Sequence, residues 1–166
     1  MTEEGSAGYD EAAKKRVLQL FPSPIFVVGC CKGDQVHAFG GSWLGQCSFK
    51  PPVVWVAVRA GSRPAELMEV GGFFTISVLR PDQIKTAKAF FKTPPFSDGR
   101  FGEVSCHLSA QGAPILDDCL GWVECRIFET SQPGDHLLYY GEITGCGGEG
   151  EGPVLTTVTT GFKYGG

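Results

Sequence analysis

The run Val53-Val54-Trp55-Val56-Ala57-Val58 is six apolar residues closed by Pro51-Pro52 on one side and by Arg59-Ala60-Gly61-Ser62-Arg63-Pro64 on the other. A stretch that short, rich in β-branched residues and bounded by turn formers, predicts a core strand. Pro64 then falls in the first turn of a short helix that runs to about Val70, where Gly71-Gly72 stops it. The first amides of such a helix have no internal acceptor and carry the positive end of its dipole, so an anion fits there. Arg59 and Arg63 bracket the turn with guanidinium groups suited to a phosphate. The plainer alternative is Ser62 as an ordinary N-cap between two solvated arginines, and this segment by itself leaves both open.

Ahead of the strand lies Gly40-Gly41-Ser42-Trp43-Leu44-Gly45-Gln46-Cys47-Ser48-Phe49-Lys50, which reads as a loop of small and polar residues around one aromatic. Gly41 and Gly45 let a backbone come close to a ligand, and Ser42, Gln46 and Ser48 supply donors and acceptors. Trp43 offers a plane against which a ring can pack, although most tryptophans of this kind serve the core. Cys47 fits beside a ring or as an inert thiol. Loop, strand and turn together describe a site for a flat anionic ligand, of which a flavin nucleotide is one.

The remaining pattern is mostly strands. A helix is expected from Tyr9 to Leu20, with Asp10 as N-cap and Ala13, Val17 and Leu20 along one stripe. Ile25 to Cys31 and Val36 to Phe39 read as a hairpin around Lys32-Gly33-Asp34-Gln35. Phe73 to Leu79 is another strand, and Pro81-Asp82 opens a helix to Phe91 whose buried stripe is Ile84, Ala87 and Phe91. The segment from Lys92 to Phe101 is a loop, ordered because Phe96 and Phe101 are costly to leave in water. Strands follow at Glu103 to Leu108, Trp122 to Thr130, His136 to Thr144 and Val154 to Thr160. Short connections and an excess of strands favour a mainly β chain, an antiparallel barrel with peripheral helices, over a doubly wound sheet. Gly145-Cys146-Gly147-Gly148-Glu149-Gly150 fits a dinucleotide-binding pattern, but Glu151-Gly152-Pro153 follows, so no helix opens there and the stretch reads as a flexible hairpin loop.

Composition narrows the function classes. With 166 residues, one domain over 1–166 buries roughly 70% of its unfolded surface and needs no metal or bridge for a core. A net charge of −4 without a basic stripe argues against a nucleic-acid partner, and the cluster Lys14-Lys15-Arg16 reads as a solvated helix face. The seven cysteines include no Cys-x-x-Cys pair and the three histidines, His37, His107 and His136, are isolated, so no metal site is expected. No run approaches the ~18 apolar residues of a membrane span. Met1 to Gly8 is polar and small, a flexible lead-in rather than a secretion signal, and a reducing cytoplasm is the expected location.

The order of the motifs resembles the flavin reductase-like family of FMN-binding split barrels, a group with flavoredoxins, ferric reductases and the reductase components of two-component monooxygenases. The likeness rests on Ser42-Trp43 before Ser48-Phe49-Lys50-Pro51-Pro52, on Arg59 with Ser62-Arg63-Pro64, and on Gly72-Phe73-Phe74-Thr75-Ile76-Ser77-Val78-Leu79. It continues through Phe90, Asp98-Gly99-Arg100-Phe101, Ala113-Pro114-Ile115-Leu116-Asp117-Asp118 and Gly134-Asp135-His136. What the resemblance implies is a Greek-key split barrel that binds FMN in preference to FAD and takes hydride from NAD(P)H. Carried over by position, Ser42, Trp43, Leu44, Gln46, Cys47 and Ser48 contact the ring and ribityl chain, and Arg59, Ser62 and Arg63, with Pro64 at the helix entry, hold the phosphate. Lys92 and Arg100 are further phosphate candidates, and His136 is the histidine connected to turnover. The resemblance also implies a homodimer and leaves room for a redox partner protein. An electron carrier without NAD(P)H oxidation and a non-catalytic flavin-binding barrel stay open beside the reductase. Trp43-Leu44-Gly45-Gln46 departs from the family's usual small, valine-rich loop, and Pro64 stands where Thr is common.

Overall fold

The computed structural model describes residues 8–165. The flexible lead-in expected over Met1 to Gly8 lies, apart from Gly8, outside them. Eleven strands dominate: β1 (Phe26–Lys32), β2 (Gln35–Gly41), β3 (Leu44–Ser48), β4 (Val53–Arg59), β5 (Phe73–Val78), β6 (Phe96–Ser97), β7 (Arg100–Phe101), β8 (Val104–Leu108), β9 (Pro114–Leu116), β10 (Gly121–Ser131) and β11 (His136–Gly147). The helices are short: α1 (Glu11–Leu18), α2 (Arg63–Leu67), α3 (Ile84–Ala89) continued by a 3-10 turn (Phe90–Lys92), and α4 (Thr157–Thr160).

Seven strands form one antiparallel sheet in the order β2-β1-β5-β10-β11-β4-β3. Its edges, β2 and β3, are consecutive in the chain and joined only by Ser42-Trp43. Three Cα steps from Gly41 to Leu44 span at most about 11 Å, so the two edges must approach each other. The sheet therefore curls into a split barrel, and Ser42-Trp43 lies at its seam. Gly33, with φ 60°, makes the tight turn of the first hairpin in a conformation a side chain resists.

Two clusters fill the fold. Inside the curl, Val28, Val54, Val56, Phe74, Ile76, Ile127 and Tyr139 pack together. On the outer side, Val27, Leu79, Ala87, Phe90, Phe101 and Leu155 form a second core beneath α3 and the small sheet β6-β7-β8-β9. Strands β1 and β5 are buried on both faces because they separate these clusters, which explains their continuous apolar runs. Gly141 lets β11 cross the inner core, since a Cβ there would lie 2.6 Å from Phe74 Cε1 and 2.7 Å from Cys125 Cβ.

Several local expectations change. Asp10 caps α1, its Oδ1 accepting from the Ala12 N–H at 2.9 Å, but the helix buries no residue and Val17 and Leu20 stay exposed. Helix α2 ends at Leu67 because Met68 turns to extended backbone and enters the core. In α3 the buried partner of Ala87 is Phe90, not Phe91: the last turn tightens to 3-10 geometry, which aligns i with i+3. The expected strand at Val154 to Thr160 is instead a buried Leu155 followed by α4, because Thr156 and Thr159 close a capping box. Cys146 and Gly147 are not a hairpin loop; they extend β11 opposite Val123 and Trp122. The segment from Lys92 to Phe101 is ordered but not a loop throughout: β6 and β7 pair within it, and Phe101 is buried against Phe90 and Phe96 at centroid distances of 5.5 and 5.2 Å.

Candidate functional site: an aromatic cleft at the barrel seam

Strand β4 sends Val54, Val56 and Val58 inward and leaves Trp55, Ala57 and Arg59 facing out. Its antiparallel neighbour β11 places His136 directly opposite Arg59 and Leu138 opposite Ala57. Side chains of such a pair project to the same face about 5 Å apart, so Arg59 and His136 meet although 77 residues part them in sequence. Trp43 joins them through its carbonyl, which accepts from the Ala57 N–H at 2.9 Å.

A cleft of about 650 Å³ opens at this point, within the range of small-molecule and cofactor sites. Phe39, Trp43, Phe90, Phe91, Phe162 and Tyr164 give it aromatic walls. Its polar lining includes Ser42, Ser62, Thr93, His37, His136 and Arg59. Gly40 on β2 makes room for Phe91, whose ring a Cβ would meet at 3.0 Å. Phe91 is 58% exposed, so its ring serves the cleft and not the core.

Three polar groups define the electrostatics. Ser62 is the N-cap of α2, yet its side chain makes no cap bond, and its Oγ is shielded from solvent without a partner. Arg59 forms no ion pair with any described residue. His136 Nδ1 lies 2.8 Å from Asp135 Oδ1 and its Nε2 lies 3.0 Å from the Tyr164 hydroxyl. The imidazole beside Asp135 holds that carboxyl below the usual carboxylate range. The ionised Asp135 accepts from His136 Nδ1–H, and Nε2 is left to share a hydrogen bond with the Tyr164 hydroxyl. Elsewhere in the cleft, burial first and the Arg63 guanidinium second push the His37 imidazole below its ordinary value.

Of the residues singled out in the sequence, Ser42, Trp43, Arg59, Ser62, Pro64 and His136 line this cleft. Gly41 lines it too, and the other marked side chains lie elsewhere. The stretch read as a ligand loop holds an edge strand over Leu44–Ser48, where Leu44 packs against the inner core and Gln46 and Cys47 are exposed at a register shift. Ser48 sits beyond a register shift against Val53. Gly45 accommodates a tryptophan, since a Cβ there would lie 3.2 Å from Trp55 Nε1. Arg63 points away, its guanidinium donating to Glu66 at 2.8 Å and to the Gln35 side chain. Lys92 is exposed at the end of the 3-10 turn, and Arg100 donates to the Glu103 carbonyl at 3.0 Å. His37, Phe39, Thr93, Phe162 and Tyr164 belong to the cleft without having been marked. For His37 and Phe39 the signal was their i, i+2 spacing on a strand, which gives a shared face but not what that face meets.

A sequence model of the flavin reductase-like domain matches residues 18–165. The chain belongs to this family. Diflavin flavoprotein A 1 of Synechocystis sp. is 31% identical over 121 residues, 72% of this chain but 21% of that protein. The chain thus spans about a fifth of the length of the curated relatives it matches. Among solved structures, the flavin reductase of styrene monooxygenase from Pseudomonas putida S12 is 28% identical with a TM-score of 0.70, covering 84% of this chain and 89% of that one. The NADH:FAD oxidoreductase of Streptomyces globisporus C-1027, solved with NAD and FAD fragments, is 25% identical with a TM-score of 0.76 over 89% of this chain and 87% of its own. The flavin reductase-like domain described above is therefore an antiparallel split barrel with few helices. Among the described residues no helix is long and apolar enough to cross a membrane.

Proposed function

We propose that this flavin reductase-like domain binds FMN in the seam cleft and catalyses its reduction by NAD(P)H. The observation that carries the reading is the unpartnered Ser62 hydroxyl in the same cleft as the unpaired Arg59 guanidinium. A buried hydroxyl without a partner costs about 1–3 kcal/mol, a penalty that an incoming phosphate oxygen relieves. Arg59 adds a charge-assisted bond to that oxygen. Pro64 is buried behind them and fixes the start of α2, which holds the Ser62 backbone in place.

The remaining lining suits the ring. Trp43 and Phe91 each offer an aromatic face to the cleft, and Ser42 offers a hydroxyl and backbone groups at the seam. When bound, the flavin supplies the redox chemistry, accepting a hydride from the nicotinamide and delivering electrons to an acceptor. The protein needs no acid–base dyad for that step; its residues orient the rings and exclude water. His136 stands beside Trp43 at a centroid distance of 4.9 Å, where its imidazole is placed to hydrogen-bond a bound ring. A homodimer belongs to the same proposal and is read by sedimentation.

A second reading has its own support. The matching relatives are diflavin flavoproteins of which this chain spans about a fifth, and a domain of that kind suits an FMN carrier that takes electrons from a protein partner. One experiment separates the two. The purified protein is loaded with FMN, freed of excess, and mixed anaerobically with NADH or NADPH. Prompt bleaching supports the reductase, and a persistent oxidised spectrum supports the carrier. Protein that binds no FMN overturns both.

A further inference from the structure

The chain closes part of its own cleft. After α4, Gly161 adopts φ 69° at the helix C-cap and turns residues 162–165 back across the barrel seam. Phe162 packs edge-on against Phe91 at 5.4 Å, with Lys88 Nζ 5.7 Å from its ring. Tyr164 reaches the far side, where its ring meets Trp43 edge-on at 5.0 Å and its hydroxyl bonds to His136. The three rings of Trp43, His136 and Tyr164 thus form one cluster.

This segment is held differently from the chain just before it. Leu155 is fully buried, and its N–H donates to the Leu79 carbonyl at 2.8 Å, while its own carbonyl accepts from the Ile25 N–H. Beyond Gly161, the Phe162 N–H bonds only to Thr160 Oγ1 of the preceding turn, and no hydrogen bond joins Lys163 or Gly165 to any described residue. Tyr164 is 55% exposed, so lifting it uncovers little apolar surface. The strap therefore hangs from a firm anchor at Leu155 and a glycine turn, with Phe162 partly buried on the outer core and Tyr164 fastened at the end by one side-chain hydrogen bond and edge contacts to Trp43 and His136.

What the strap covers matters. Trp43, Ala57 and His136 wall both the cleft and a neighbouring depression with Trp55, Leu138 and Tyr140, and Tyr164 covers Trp43 and His136 from the cleft side. In the closed arrangement both nitrogens of His136 are engaged, Nδ1 by Asp135 and Nε2 by Tyr164. A second planar ring that is to stack near Trp43 and meet His136 must take the place of the Tyr164 ring.

We infer that Tyr164 is a latch: the strap 162–165 must swing about Gly161 before a reduced nicotinamide reaches the Trp43 and His136 side of the cleft, and Tyr164 sets access for this donor, not affinity for the flavin. The inference rests on the proposed FMN reductase reading. Tyr164 acts here by occupying space and by engaging His136, which makes it a positioning residue.

The test compares Tyr164→Phe, which removes the hydroxyl bond and keeps the ring, with Tyr164→Ala, which removes both. In flavin-free protein carrying Trp55→Phe and Trp122→Phe, Trp43 is the reporter, and its quenching by acrylamide should rise from the parent through Tyr164→Phe to Tyr164→Ala, by about twofold at the end of the series because a shielding ring has gone. FMN dissociation constants should agree within about twofold. In anaerobic single turnovers, the second-order rate of reduction by NADH or NADPH should rise about fivefold in Tyr164→Ala, roughly the factor one hydrogen bond is worth. The gain should be confined to the nicotinamide, the rate with dithionite, a donor small enough to bypass the strap, changing by less than about twofold, well inside the roughly fivefold that one hydrogen bond is worth. Unaltered quenching, or an unaltered nicotinamide rate in variants that all bind FMN, overturns the latch alone. A loss of FMN affinity without a gain in rate overturns it too, and makes Tyr164 part of the flavin wall. If no variant binds FMN, the flavin reading falls and the latch with it. If all bind FMN and none is reduced by either nicotinamide, the reductase reading and the latch fall while FMN binding stands.

Discussion

Replacing Arg59 by alanine should weaken FMN binding far more than replacing Arg63, the reverse of what their positions around α2 suggest. Arg59 lines the cleft and makes no ion pair with a described residue, so its full bonding capacity is free for a ligand. A hydrogen bond to a charged group contributes about 1.5–3 kcal/mol, and at about 1.4 kcal/mol per decade the Arg59→Ala dissociation constant should rise ~10- to ~150-fold. Arg63 lies outside the cleft with its guanidinium engaged by Glu66 and Gln35. Its removal deletes an exposed ion pair worth at most ~1 kcal/mol of stability and should shift FMN affinity by no more than about threefold. Fluorescence titration with FMN reads both, and riboflavin, which lacks the phosphate, is the control. Arg59→Ala should bind riboflavin as the parent does, and its deficit for FMN should shrink as salt is raised. Equal losses for the two variants, or an Arg59→Ala deficit just as large for riboflavin, would refute the assignment of the phosphate end.

Ser62→Ala should move stability and binding in opposite directions: the flavin-free protein gains about 1 kcal/mol on losing an unpartnered buried hydroxyl, while FMN affinity falls, measured by thermal melts beside a titration. Gly141→Ala forces a methyl against Phe74 and Cys125 and should lower stability by about 1–3 kcal/mol, a melting shift of roughly 3–10 °C; an unchanged melting point would mean the inner core relaxes freely there. Burial pushes the Cys30 and Cys125 thiols up to about 12 and Cys106 up to about 11. A raised folded value means the unfolded chain loses these protons first, so stability should be intact below the ordinary thiol value of 9.0 and fall as pH climbs from there towards 12. His37, held below its ordinary 6.5, works at the other end: its contribution is present above that value and is lost as pH falls. Melts across pH 5 to 11 should therefore show a plateau between about 6.5 and 9, and thiol labelling of the native protein at neutral pH should reach the exposed Cys47 and Cys146 first.

What could be read along the chain was whatever neighbouring residues decide. Pro51-Pro52 and Gly61-Ser62 bound β4, Gly33-Asp34 turns the first hairpin, and Asp10 caps α1, because each rests on backbone geometry within a few residues. The misreadings were local conflicts of the same kind. The β-branched Val154 to Thr160 suggested a strand until the Thr156 cap is counted, and Phe91 was assigned to the core on a 3.6-residue period that the 3-10 turn breaks. The small, polar composition of Gly41 to Ser48 looked like a loop, yet an edge strand tolerates that composition because only one of its sides is paired.

Residue order alone is enough to assign a mainly β chain to the flavin reductase-like family and to single out Ser42, Trp43, Arg59, Ser62 and His136. Which of these residues share a cleft is a property of the fold. That depends on strand order and register: the closing of β2 towards β3 sets Trp43 at the seam, and the pairing of β11 with β4 brings His136 to Arg59. It also depends on the return of residues 162–165, which carries Tyr164 to His136 across 28 positions of sequence. Local propensity holds no information about such meetings, because they are fixed by the shared burial of two cores that no single segment contains.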